Sequence, residues 1–127
     1  MKELTKAEEQ VMQILWEINE GVIHDIIARI EDPKPAYNTI STIVRILESK
    51  GFIDHTAVGR THFYYPLIEK EEYSRRYFKS FLSRYFKGSF AKLTSAFTES
   101  ENLSIQEMEE IRKLIDKTLK AQRKEHA

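Results

Sequence analysis

The sequence predicts a mainly α fold with one small β-hairpin: a winged helix-turn-helix over residues 1–68, followed by an all-helical domain over 69–127. Three observations predict it. Apolar residues recur at helical spacing in three successive stretches before Gly51, the text turns β-rich immediately after that glycine, and helical spacing returns with many aromatic residues from 69 onward. Three short helices followed by a hairpin are the order of a winged helix.

The first helix opens at Thr5, an N-cap residue with Glu8 three positions on to complete a capping box. Val11, Ile14, Leu15 and Ile18 form its apolar stripe, Met12 and Trp16 widen it, and residues 19–21 end it. Ile23, Ile26, Ile27 and Ile30 repeat the spacing on a short second helix, closed by the proline-containing run 31–35. The third helix lies within residues 36–51, where Ile40, Ile43, Val44 and Leu47 share one face. Its many β-branched residues would also suit a strand, but strict alternation would leave Ile43 exposed, and Gly51 is a good helix stop. FIDHTAV and THFYYPL then read as two strands joined by Gly59-Arg60, a two-residue turn of the Gly-X kind.

From residue 69 the chain reads as helix. Tyr73, Tyr77, Phe78, Phe81, Leu82, Tyr85, Phe86 and Phe90 make an apolar face too broad for one small domain to cover, which implies a partner. Gly88 stops that helix, residues 90–97 read as a short connector, and Ser104 with Glu107 caps a last helix. Met108, Ile111, Leu114, Ile115 and Leu119 are its stripe, and residues 120–127 are expected to fray.

Composition narrows the function classes. With 127 residues, 41% hydrophobic and 31% charged, the chain can bury one core or two small ones. No apolar run approaches a membrane span and the first residues lack a signal-peptide core, so a cytoplasmic chain without membrane insertion is expected. Zero cysteines exclude disulfides and thiolate metal sites, and the histidines at 24, 55, 62 and 126 show no ligand spacing; neither metal nor cofactor is expected. There is no Gly-rich phosphate loop and no nucleophile with a base in sequence reach, which argues against an enzyme.

Net charge is zero, so the distribution of charge decides. Residues 1–67 carry seven Lys or Arg against ten Asp or Glu, yet no acid falls in 33–47 or in 55–67. A phosphate backbone could approach Lys34, Arg45, Arg60, His55 and His62 there without meeting a carboxylate. The polar side of the third helix collects Asn38, Thr42, Arg45 and Ser49, flanked by Thr39 and Ser41. Asn pairs with adenine, Arg with guanine, and a threonine methyl meets that of thymine. Arg60 and the adjoining Thr61 lie at the hairpin tip, placed for phosphate or minor-groove contact. The candidate DNA-binding residues are therefore Asn38, Thr39, Ser41, Thr42, Arg45, Arg60 and Thr61. The plainer alternative is a solvated helix face on a non-enzymatic winged helix that binds proteins.

The chain also resembles the penicillinase and methicillin-resistance repressors of bacteria, a family that includes copper-responsive repressors. The resemblance is carried by LTKAEEQVMQILW, AYNTISTIVRILESKGFI, GRTHFYYP, EEY, FKGSF and LSIQEMEEIRKLID, and covers nearly the whole chain. It implies a dimeric repressor of transcription that binds an inverted-repeat DNA operator, with contacts from Thr39, Thr42 and Arg60. It makes 69–127 a helical dimerisation domain, pairing through Tyr73, Tyr77, Phe78, Phe81, Leu82, Tyr85, Phe86, Met108, Ile111 and Ile115. It also implies release by proteolysis at Ala96-Phe97, with a membrane sensor protease, or a protease such a sensor controls, as partner. Three departures stand out: Ile46 where the family usually has Arg, Val22 where it has a hydroxyl residue, and Ala96 where it typically has Asn. Without a cysteine cluster the chain is more similar to the penicillinase-type branch than to the copper-responsive one.

Overall fold

Helix α1 (Lys6–Ile18) begins where Thr5 can cap it. In the computed structural model, which describes residues 3–100 and 103–126, the predicted capping box is present. Glu8 N–H donates to Thr5 Oγ1 at 3.2 Å, and Thr5 N–H donates to Glu8 Oε1 at 2.9 Å. Val11, Met12, Ile14 and Leu15 point into the core. Asn19, with φ +70°, closes the helix.

Helix α2 (Ile23–Ala28) buries Ile23 and Ile26, and Ile30 follows them into the core. Val22 has no side-chain hydroxyl to cap it; instead its N–H donates to Asp25 Oδ2 at 2.9 Å. At the other end Lys34 Nζ donates to the carbonyls of Ala28 and Ile30, satisfying acceptors that the helix end leaves open.

Helix α3 (Tyr37–Ser49) is helical throughout, so periodicity overrides the β-branched composition. Ile40, Val44 and Leu47 are buried, with Ile43 packed at the core margin. Full burial of such a side chain contributes about 1.5–3 kcal/mol. Gly51 adopts φ +82°, a left-handed conformation that ends the helix and turns the chain toward the hairpin.

Strands β1 (Ile53–Val58) and β2 (Thr61–Pro66) pair antiparallel in the register Ile53↔Pro66 through Val58↔Thr61. This leaves Gly59-Arg60 as the predicted two-residue turn, and Gly59 has φ +63°, the requirement of a Gly-X turn. A bridge not foreseen from the sequence joins Gly21 to Tyr64, with hydrogen bonds of 3.0 and 2.8 Å, and ties the wing to the α1–α2 link.

The chain divides into two compact units, Met1–Phe78 and Lys79–Ala127. The boundary falls inside helix α4 (Lys70–Phe86), whose first turns belong to the first unit. There Tyr73 is buried, its ring 5.9 Å from Trp16 and 5.7 Å from Phe52, and its hydroxyl accepts from Leu4 N–H at 3.2 Å. Trp16 Nε1–H donates to the Ile68 carbonyl at 2.8 Å, in keeping with the core role its position suggests. Tyr73, expected on a pairing face, is therefore occupied within its own unit: its phenol is amphipathic, and the Trp16–Phe52 corner offers both apolar walls and a backbone donor.

In the second unit, residues 90–97 are more than a connector. They open helix α5 (Phe90–Glu99), because Ser89 Oγ accepts from Lys92 N–H at 3.1 Å and Phe90, Leu93 and Phe97 share a stripe. Helix α6 (Ile105–Glu125) starts at Ser104, whose hydroxyl accepts from Glu107 N–H at 3.0 Å. Although fraying is expected from 120, the helix runs on to Glu125: good helix formers continue it, Arg123 and Lys124 complement the dipole of its last turn, and Ala127 lies outside the described residues. No residue of α6 is buried, so its whole apolar stripe faces outward.

Glu8 has a second partner that sequence spacing does not announce. Lys50 Nζ lies 2.7 Å from Oε1 and 2.9 Å from Oε2, pinning the end of α3 to the start of α1. Burial pushes the Glu8 carboxyl up, but Lys50 and the Thr5 N–H and hydroxyl outweigh it and hold it below the ordinary 4.5. A depressed carboxyl stabilises the fold above its unfolded value, and that contribution is lost as pH falls through its folded value. Stability measured by denaturant should accordingly fall as pH drops below about 4.5, and Glu8→Gln should flatten that slope; identical slopes for parent and variant would contradict it.

Candidate nucleic-acid interface

The outward face of α3 presents Asn38, Thr39, Thr42 and Arg45 to solvent, with Ser41 half-buried beside them. The hairpin turn brings Arg60 and Thr61 alongside, and the structure holds a groove of about 470 Å³ between helix and wing. Asn38, Ser41 and Arg45 line it from α3, and Arg60, Thr61 and His62 from the wing. Five of the seven residues predicted from sequence thus meet in one place. Thr39 and Thr42 lie on the same exposed helix but outside the groove.

Among the described residues no carboxylate lines this groove. The two acid-free windows of the sequence therefore converge in space, which leaves the guanidinium groups of Arg45 and Arg60 facing an anion-compatible surface. Thr42 Oγ1 donates to the Asn38 carbonyl at 2.9 Å, so its lone pairs and methyl remain available. At the floor, burial pushes the Tyr64 phenol up, with Glu48 and Tyr37 adding and Arg45 opposing, which keeps it a hydrogen-bond donor.

Sequence reading missed several lining residues. Ile23, His24 and Tyr37 line the groove beside Val22, the position noted above as a departure from the family, and the His24 and Tyr37 rings lie 5.1 Å apart. Their only signal was position: Tyr37 directly precedes Asn38, and His24 sits in the first turn of α2.

Two side chains expected to face phosphate are otherwise engaged. Lys34 closes α2, as described above. His55 Nδ1 sits 2.6 Å from Glu48 Oε2, and its ring stacks on His62 at 4.1 Å. Glu48 lies just past the acid-free window of α3, and the fold carries it back to the wing. Glu48, Asp54 and His55 each offer a donor atom within 4.8 Å of the others, a group that could hold a metal ion.

The predicted pairing residues other than Tyr73 are open or half-open in the single chain. Tyr77, Phe78 and Tyr85 are exposed, while Phe81, Leu82 and Phe86 are half-buried. The Phe81 ring lies 5.1 Å from Tyr85 and 5.9 Å from Phe86. Met108, Ile111 and Ile115 are exposed along α6, and Ala96 and Phe97 are exposed on α5. Among the described residues no helix is long and apolar enough to cross a membrane.

Comparison with known proteins agrees with this geometry. The family model described as "Penicillinase repressor" matches residues 4–117. The methicillin resistance regulatory protein MecI of Staphylococcus aureus (strain N315) is 34% identical over 116 residues, spanning 91% of this chain and 94% of the relative. The penicillinase repressor of Bacillus licheniformis is 27% identical over 115 residues, 90% of each chain. That of Staphylococcus aureus is also 27% identical, over 90% of this chain and 91% of the relative.

Proposed function

Because the chain belongs to the penicillinase repressor family, we propose that it represses transcription as a homodimer bound to an inverted-repeat operator, and that proteolysis releases it. The observation that carries the reading is the carboxylate-free groove between α3 and the wing, with Asn38, Ser41, Arg45, Arg60 and Thr61 along it. Helix α3 enters the major groove, where Asn38, Thr39, Thr42 and Arg45 face base edges, and Arg60 and Thr61 hold the backbone beside it. Ser41 sits deeper and serves orientation.

Support for the pairing of two chains comes from the apolar residues that α6 and the later turns of α4 leave exposed. Two-fold symmetry then sets two α3 helices about one DNA turn apart, or a multiple of it, to match the halves of a palindrome. Proteolytic release fits the end of α5. A protease takes an extended segment, so the Ala96-Phe97 bond must first leave the helix. Thr98 Oγ1 donates back to the Thr94 and Ser95 carbonyls at 3.0 and 3.1 Å, and Ser100 Oγ to the Phe97 carbonyl at 2.9 Å. Such back-bonding weakens a helix and favours opening of that turn. A membrane sensor or a protease it controls would supply the cut.

A contrast of two variants tests the DNA reading. Thr42→Ala should weaken operator binding by about 1–3 kcal/mol and relax base choice. Arg60→Ala should weaken all duplexes alike and lower the salt slope by about one unit. Unchanged gel shifts for both, or a parent that binds no duplex at low salt, would favour a protein-interaction module instead.

A further inference from the structure

We propose that Glu48, Asp54 and His55 form a binding site for a divalent transition-metal ion such as Zn²⁺, at the junction of the last turn of α3 with the first strand of the wing. No spacing in the sequence announces it, because one ligand comes from a helix and two from a strand. The fold brings His55 Nδ1 to 2.6 Å from Glu48 Oε2 and 3.9 Å from Asp54 Oδ1, and the three donors all lie within 4.8 Å of one another. Ligands at about 2.0–2.2 Å from a tetrahedral zinc ion stand slightly over 3 Å apart, so small side-chain rotations close the set around one ion and leave a fourth position for water.

Three further features favour a metal over a simple ion pair. Two carboxylates face one imidazole, and among the described residues neither carboxylate pairs with Lys or Arg, so the cluster carries negative charge that a dication would neutralise. The imidazole is held in place, its ring stacked on His62 with planes 9° apart. Asp54 is oriented too, since its Oδ1 accepts from His55 N–H at 2.8 Å. Oriented ligands are what a metal site needs. The side chains of Glu48 and His55 are about one-third exposed and that of Asp54 about half, which gives an ion a path of entry. A bound ion would tie the end of α3 to β1 and fix the wing relative to that helix. Such binding would not depend on whether α3 reads DNA.

The test is calorimetric titration of the chelator-stripped full chain with zinc sulfate, beside Glu48→Gln, His55→Asn and Asp54→Asn. The parent should bind one ion per chain, and each variant should bind it at least as much more weakly as the roughly 10–100-fold that second-shell changes cost. Melting followed by circular dichroism without zinc establishes that each variant is folded, and Asp54, as an exposed residue, can be changed without touching the core. Absence of zinc binding to the parent overturns the proposal. So does equal binding by parent and Asp54→Asn together with either other folded variant, since the ion would then sit at other histidines.

Discussion

A fragment of residues 1–96 should fold its winged helix and yet bind a palindromic duplex about 10²- to 10⁴-fold more weakly than the full chain. The first unit ends at Phe78 and keeps its whole core, from Val11 through Tyr73, so nothing that shapes the groove is removed. What is lost is the last turn of α5, from Phe97 on, and the whole of α6 (Ile105–Glu125), with Met108, Ile111 and Ile115 on its outward stripe. A chain attached through a partner rebinds its half-site intramolecularly; a lone chain must bind from solution. Titrating both proteins on one duplex, with sedimentation alongside, measures the difference. Equal affinity, or a fragment that still dimerises fully, would sink the pairing role given to α6.

Phe52→Ala should destabilise the first unit by about 3–5 kcal/mol, a large share of the roughly 5–15 kcal/mol that holds a small domain together. Phe52 is fully buried (0% exposed) and meets Tyr73 edge-on, ring centroids 5.7 Å apart. Its backbone is committed as well: its N–H donates to the Leu47 carbonyl at 3.0 Å and its carbonyl accepts from Leu67 N–H at 2.8 Å. Truncation would open a cavity where α3, the wing and α4 meet, and neighbours so constrained can relax little into it. Denaturant unfolding gives the number, and a loss under about 1 kcal/mol would mean that this junction is not the keystone the packing suggests. DNA affinity should fall with folded fraction, since Phe52 lies outside the groove.

Much of the fold was legible in local signals. The capping box at Thr5 and Glu8, the α3 stripe of Ile40, Val44 and Leu47, and the Gly59-Arg60 turn depend on residues within a few positions of one another. Spacing and backbone chemistry over such distances are decided by the sequence alone. So, largely, is the polar set on α3, because helical period determines which side chains share the face opposite the core.

What only the tertiary structure decided involves partners far apart in the chain. Lys50 reaches the Glu8 carboxylate across 42 positions, and Tyr73 joins the first unit by accepting from Leu4 across 69. Lys34 and His55, which the acid-free windows leave open to phosphate, are taken up by α2 carbonyls and by Glu48. His24 and Tyr37 enter the groove only because α2 folds against α3. Linear windows record charge along the chain, whereas electrostatics acts through space; a seven-residue separation brings Glu48 to His55 only once Gly51 has turned β1 back along α3.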